Sequence, residues 1–483
     1  MSRAAALFLL LWAHAPAQAA PRLLVVVSVD QMRADYLDRY QVNASSGFKE
    51  LFEHGALFTN AQHSHVPTET GPGHAVILTG KYPGETGIVG NDWYDRRAST
   101  TVYCVADAVH GLGPQNLETY TLGDALKAKD PQSRVVSVSL KDRAAILMGG
   151  KKADAAIWFN ASNGEFVSSS YYGAKPAWLD AFNARLKKGV LARFSGRYGD
   201  FRYDSDADRA VLDLAEQAVL ENQLGEDAHP DILAVSFSAT DYIGHKWGPD
   251  SPQMKSQMAR LDGVIGELLG FLSVQVGRDN FDLALTADHG VLPTPESKSG
   301  KDMGARRVPE DEVVAKIEET LQALHPAAGQ KWLTVCRFPH LYLNWALAQK
   351  QGLVWSSYLH EAAAALRKID ALAQVYIPWE WEPADLFTEA YERSYFPGRS
   401  GDLIVRQVEN VLLSSDKTST DHGSPYLYDT HVPLIFFGKD FKIGLFAREA
   451  KISDLAPTCA KALGVDFPPT AGSRVLKEIL AAP

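Results

Sequence analysis

The 483 residues are 46% hydrophobic and 22% charged, an ordinary globular balance, long enough for one large α/β domain with insertions or for two or three smaller domains. The formal net charge of -10 disfavours general nucleic-acid binding through a basic surface, so no nucleic acid is expected as a specific partner. An anionic substrate is not excluded, but it must be received by a local positive site such as metal ions or an Arg/Lys pair.

At the start of the chain, Arg3 is followed by the apolar run Ala4 to Ala13 and by Ala17-Gln18-Ala19, a small-x-small pattern. This reads as a signal peptide over residues 1–19. The run is short for a membrane span, and no later stretch is long and apolar enough to be one. The mature chain is therefore expected to be soluble and exported, periplasmic or secreted. Cys104, Cys336 and Cys459 lie far apart without metal-ligand spacing. One disulfide would leave one thiol over, and a large core needs none, so buried structural cysteines are expected.

Five apolar runs have strand length: Leu23 to Val29, Val135 to Leu140, Ile232 to Phe237, Phe281 to Thr286 and Val432 to Phe437. Continuous runs of this kind suit buried strands of a parallel sheet. Between them, Ala210 to Glu221 and Met254 to Leu272 repeat apolar residues at three- and four-residue spacing, as helices do. The expected fold is α/β, a central and mostly parallel sheet with helices on both faces. Residues 20–298 and 400–483 form the expected core, with a smaller insertion at about 144–208. The Trp-rich stretch 299–399 reads as an inserted cap domain. Ser453 to Leu463 reads as a short amphipathic helix that tolerates Pro457 in its first turn.

One regularity links these elements. Asp30 follows the first strand, Lys141 and Arg143 the second, Asp241 and His245 the third, and Asp288 and His289 the fourth. Ligands of parallel α/β sheets bind beyond the carboxyl ends of the strands, so these residues are expected to converge at one edge.

In Thr68-Glu69-Thr70-Gly71-Pro72-Gly73-His74, a helix is expected to begin near Gly71 or Pro72, with Thr70 at its N-terminus. Free N–H groups and the helix dipole there favour an oxyanion, and metal coordination would activate the hydroxyl. Taken alone, Thr70 reads as an ordinary N-cap. Asp241 and His245, four apart, face one metal ion if they share a helical turn. Asp288-His289-Gly290 directly after a strand offers two adjacent ligands. His422 supplies one more imidazole, with His431 as the alternative. Carboxylates and imidazoles without thiolates suit zinc, although manganese or cobalt would use the same residues. Asp241, His245 and His422 for one ion, and Asp30, Thr70, Asp288 and His289 for the other, make a two-metal site of the kind that clamps attacking and leaving oxygens.

With these residues assembled, the chain resembles the alkaline phosphatase superfamily, and most of all its Thr-nucleophile bacterial branch. The resemblance rests on Ser28-Val29-Asp30-Gln31-Met32-Arg33, Thr70-Gly71-Pro72-Gly73-His74, Gly90-Asn91-Asp92-Trp93-Tyr94, Leu140-Lys141-Asp142-Arg143, the Asp241/His245 pair, Asp288-His289-Gly290 and His422-Gly423-Ser424-Pro425-Tyr426. It implies a phosphatase that acts on small phosphate monoesters through a phosphothreonine at Thr70, with two Zn2+ per chain. It further implies that Asn91 hydrogen-bonds a nonbridging phosphate oxygen and that Lys141 and Arg143 clamp the others. Sulfatases need a Cys/Ser-x-Pro-x-Arg pattern that Thr70-Gly-Pro-Gly-His74 does not provide. Nucleotide pyrophosphatases and phosphodiesterases share the Thr nucleophile, the Asn and the zinc ligands and would differ at Lys141-x-Arg143, so a diesterase is the alternative. A metal- or phosphate-binding pseudoenzyme is a third reading, disfavoured because nucleophile, clamp and ligands are all present. Neither the physiological ester nor the oligomeric state is written in the sequence.

Overall fold

The computed structural model describes residues 21–41, 45–416 and 418–481, so the expected signal peptide, residues 1–19, lies outside the described residues. Two larger sheets are built, in chain order, from β1 (Leu23–Val29), β2 (Gly55–Phe58), β3 (Val135–Ser139), β4 (Ala155–Asn160), β5 (Glu165–Val167), β6 (Asp231–Phe237), β7 (Phe281–Thr286), β8 (Leu333–Arg337), β9 (His340–Leu343), β10 (Leu372–Tyr376), β11 (Leu403–Gln407), β12 (Leu434–Phe437) and β13 (Gly444–Phe446). The principal helices are α1 (Thr70–Thr79), α2 (Asp142–Gly149), α3 (Asp206–Asn222), α4 (Ala239–Trp247), α5 (Pro252–Leu272), α6 (Glu310–Leu324), α7 (Trp355–Leu366) and α8 (Leu455–Ala462).

The central nine-stranded sheet has the order β5-β4-β3-β6-β1-β7-β12-β2-β13. Strands β4, β3, β6, β1 and β7 are parallel neighbours. Every residue of β1, β6 and β7 is buried. Side chains alternate between the faces of a strand, so complete burial means that both faces are covered. The run ending at Phe437 departs from the expected direction: β12 is antiparallel to β7 and to β2. A continuous apolar run reports burial on both faces and carries no signal of strand direction.

Local chemistry accounts for the helices. Ser251 caps α5 by accepting the Met254 N–H at 3.1 Å, Pro252 occupies the first turn, and Met254, Met258, Leu261, Ile265, Leu268 and Leu272 form its buried stripe. Helix α8 begins at Leu455 with Pro457 in its first turn, after a 3-10 turn over Ile452–Asp454.

The stretch expected as a smaller insertion, about 144–208, divides. Strands β4 and β5 extend the central sheet, and Phe159, Phe166, Phe182 and Phe201 pack edge to face within the main core. The aromatic clustering marks the rim of the main core and not a separate unit. The cap has its own sheet, β8-β9-β11-β10, and its own core around Val313, Ile317, Trp332, Tyr358, Leu366 and Val405. It runs past the expected boundary at 399 because β11 pairs with both β9 and β10. All three cysteines are free, Cys104 and Cys459 buried and Cys336 half-buried.

At the amino-terminal part of β7, opposite the candidate site, Asp282 is fully buried. Burial, reinforced by the Asp440 carboxylate, pushes its pKa up to about 8. The usual carboxylate value is about 4, so between pH 4 and 8 the folded chain holds more protons than the unfolded chain. This group's contribution to stability therefore falls as pH rises through that window. The Tm of Asp282→Asn relative to the parent is expected to climb from pH 5 to pH 8 and then level off; a difference that shrinks with pH would refute the assignment.

Candidate active site

Helix α1 begins at Thr70, one residue earlier than the sequence pattern indicates, because Glu69 takes the extended cap position and its carbonyl accepts the Gly73 N–H at 2.8 Å. Thr70 is 1% exposed. Its Oγ1 lies 3.3 Å from Lys141 Nζ and 3.3 Å from Arg143 Nη2, the first at the N-cap and the second in the first turn of α2, which follows β3. Two cations beside one hydroxyl favour its deprotonated form. The Gly71 N–H donates to Asn91 Oδ1 at 2.8 Å, and the Asn91 N–H donates to Glu69 Oε2 at 2.7 Å. These two bonds fix the Asn91 side chain against the helix start and leave its amide NH2 for another acceptor. Burial pushes Glu69 up to about 7.

The strand ends converge as expected. Asp30, Asp288 and His289 bring one donor atom each within 4.8 Å of one another. So do Asp241, His289 and His422, and so do His245, Asp421 and His422. His245 Nε2 lies 3.1 Å from Asp241 Oδ1, and the rings of His289 and His422 stack with centroids 3.5 Å apart. His431, the alternative imidazole, makes its contact with the Thr59 carbonyl instead, at 3.2 Å.

Each of the three imidazoles is tied down by Nδ1. His245 reaches the Thr420 carbonyl at 2.8 Å, His422 the Thr68 carbonyl at 2.7 Å and His289 the Gly290 carbonyl at 2.9 Å. A carbonyl only accepts, so each Nδ1 carries the proton, and in His289 and His422 this leaves Nε2 with a free lone pair. Outer-shell bonds of this kind orient imidazoles for a metal. Burial lowers His289 to about 4 and His422 to about 3, so both are neutral at pH 7. Burial also lowers His245, but Asp241 outweighs it and raises the group to about 9.

The carboxylates differ in their surroundings. Burial, with Asp241 and Asp288 close by, holds Asp30 well above the usual range. Burial acts the same way on Asp241 and Asp288, yet Lys141 and His245 hold the first well below that range, and His289 and His74 the second. Lys141 Nζ sits 2.7 Å from Asp30 and 2.6 Å from Asp241. Burial works against its charge, but those two carboxylates raise its pKa further. The clamp expected from the sequence is therefore asymmetric here. Arg143 lines the cleft, whereas Lys141 lies among the ligand carboxylates.

That cleft, about 320 Å³, runs from Thr70, Asn91, Arg143, His245 and His422 to cap residues Arg337, Phe338, His340 and Leu412. Arg337 crosses from the cap to Asp92, 2.8 Å away.

Two residues carry contacts that the sequence reading did not assign. Gln31 adopts φ 64, a left-handed backbone that costs a non-glycine residue roughly 1–3 kcal/mol. Its N–H donates to Asp288 Oδ1 at 3.1 Å and its side chain to Asp241 Oδ1 at 2.9 Å, so it braces ligands of both groups. Asp421 joins His245 and His422. Nothing in the residue types singles out Gln31; Asp421 is adjacent to His422 and was discoverable from that neighbour.

A model described as type I phosphodiesterase / nucleotide pyrophosphatase matches residues 24–425. The chain belongs to this family. It is 34% identical to alkaline phosphatase PhoD of Zymomonas mobilis, over 86% of this chain and 81% of that one. To alkaline phosphatase PafA of Elizabethkingia meningoseptica it is 29% identical, over 95% and 94% of the two chains. The crystal structure of wild-type PafA superposes with a TM-score of 0.91 at 27% identity, covering 96% of this chain and all (100%) of that one. Murine ectonucleotide pyrophosphatase/phosphodiesterase 5, 16% identical with a TM-score of 0.59, shares the fold.

Helix α1 approaches the Asp288 strand end so closely that a Cβ on Gly73 would sit 2.2 Å from the Asp288 carbonyl oxygen. Gly73→Ala must push the two apart. It is expected to lose about 1–3 kcal/mol in urea unfolding and most of its turnover; parent-like values in both measurements would refute the close approach.

Proposed function

We propose that this chain is an alkaline phosphatase that hydrolyses small phosphate monoesters in two displacements through a phosphothreonine at Thr70. The observation that carries the reading is Thr70 Oγ1 at a helix N-terminus, 3.3 Å from each of two cations and beside grouped carboxylates and imidazoles. The relatives named alkaline phosphatase support it.

The donor set fits zinc. It offers oxygen and imidazole nitrogen only, and His289 Nε2 and Asp30 Oδ1 are buried without a hydrogen-bond partner. Asp30, Thr70, Asp288 and His289 would hold one ion, and Asp241, His245 and His422 the other. Bound there, zinc supplies Lewis acidity at the attacking and leaving oxygens.

The chain's own residues do the rest. Asn91 binds one nonbridging oxygen through its free amide hydrogens. Arg143 and Lys141 favour the Thr70 alkoxide and then meet the charge on the phosphoryl oxygens. Oγ1 bonds to phosphorus as the ester P–O bond breaks and the alcohol departs. Water then cleaves the Thr70 phosphoester, releasing phosphate and restoring the hydroxyl. The cleft, about 320 Å³, suits a small leaving group against the cap wall. Export to the periplasm or medium accords with the apolar N-terminal run, and among the described residues no helix is long and apolar enough to cross a membrane.

Thr70→Ala is expected to lower turnover roughly 10³-fold or more while zinc stays bound; near-normal turnover would move suspicion to Thr68. For the parent, kcat/KM on an aryl phosphate monoester is expected to exceed that on the matching diester, and Arg143→Ala to lose roughly 10²-fold on the monoester with a smaller loss on the diester. A diester preference would keep the fold and Thr70 but make the chain a phosphodiesterase, and neither activity would favour a binding protein.

A further inference from the structure

His74 is fully buried in the second turn of α1, and the proposed chemistry gives it no task. Its Nδ1 lies 2.9 Å from the Thr70 carbonyl and 3.1 Å from Asp288 Oδ2. Its Nε2 lies 3.0 Å from Ser236 Oγ, in β6. A carbonyl and a carboxylate only accept, so Nδ1 carries the proton and is shared between them. With that proton on Nδ1, the Nε2 lone pair accepts the Ser236 hydroxyl, a bond that favours this tautomer. The other Asp288 oxygen, Oδ1, accepts the Gln31 and His289 N–H groups, each at 3.1 Å. Oδ1 is thus oriented by two donors, while Oδ2 faces His74 Nδ1, the ring that links this carboxylate to the Thr70 carbonyl at the start of α1.

We infer that His74 is a positioning residue: one shared Nδ1–H, its tautomer held by Ser236, sets the Thr70 backbone against the Asp288 carboxylate. The inference rests on reading Asp288 as a metal ligand and Thr70 as the nucleophile. A packing role would be met by any flat ring of similar size. The positioning role needs a donor where Nδ1 is, which the amide of Asn supplies and Phe does not. Ser236 is fully buried and small, so Ser236→Ala removes the tautomer lock with little change in packing.

The test uses zinc-loaded holoprotein of the parent, His74→Phe, His74→Asn and Ser236→Ala. It reads zinc release into a chelator together with kcat and KM. Removing an outer-shell partner typically costs 10–100-fold in metal affinity or activity. His74→Phe is expected to release one zinc about 10–100-fold more readily, with a matching fall in kcat and little change in KM. His74→Asn is expected to recover most of both, and Ser236→Ala to fall between. Parent-like zinc retention and kcat in His74→Phe would overturn the inference, and so would equal damage from Phe and Asn in folded protein. If His74→Phe does not fold, Ser236→Ala decides: faster zinc release at an unchanged Tm supports the role, and parent-like release overturns it. Zinc release does not require turnover, so repeating it in a Thr70→Ala background keeps this inference separate from the nucleophile assignment.

Discussion

Asp30, Asp241 and Asp288 are each 3% exposed or less and meet at one edge of the central sheet. Like charges removed from water repel one another strongly, and each must be neutralised or hydrogen-bonded to remain ionised. The rest of the site answers that constraint. Lys141 lies between two of the carboxylates, Gln31 donates to Asp241 and Asp288, His74 Nδ1 lies beside Asp288, and the imidazoles complete groups that could hold a divalent cation.

The fold supplies rigidity to this arrangement at low local cost. Asp30, Asp288 and His289 follow directly on strands that are buried along their whole length, and Asp241 and His245 lie on the helix that follows another. Helix α1 brings its N-terminus to the same edge, and Gly73 permits the contact with Asp288. The exposed side is left to the cap, which has a separate core and meets the edge across a cleft. The converging strand ends and the cap wall of the cleft thus belong to different hydrophobic cores.

Much of this was legible in the chain. The strands at Leu23–Val29 and Phe281–Thr286 coincide with apolar runs, and α5 follows its periodic stripe. Asp30, Asp288 and His289 were identifiable because strand ends of a parallel sheet collect at one edge. Less could be read where the signal is shared between structures. The apolar run at β12 looks the same in either direction, and the aromatic residues of 158–172 looked like an insertion's core although β4 and β5 belong to the main sheet. Gln31 carries no mark of its role, since a left-handed residue bridging two carboxylates is visible only as φ and distance.

The sequence by itself determined the class of fold, the donor types available and the residues placed at strand ends. Burial patterns and donor chemistry are properties of residues and their spacing. Only the tertiary structure decided that β12 runs antiparallel, that the cap sheet closes through β11, that Lys141 points among the carboxylates while Arg143 faces the cleft, and that Asp421, Gln31 and His74 join the site. Each of these depends on a distance between elements remote in the chain, and such distances are set by packing, which local pattern does not encode.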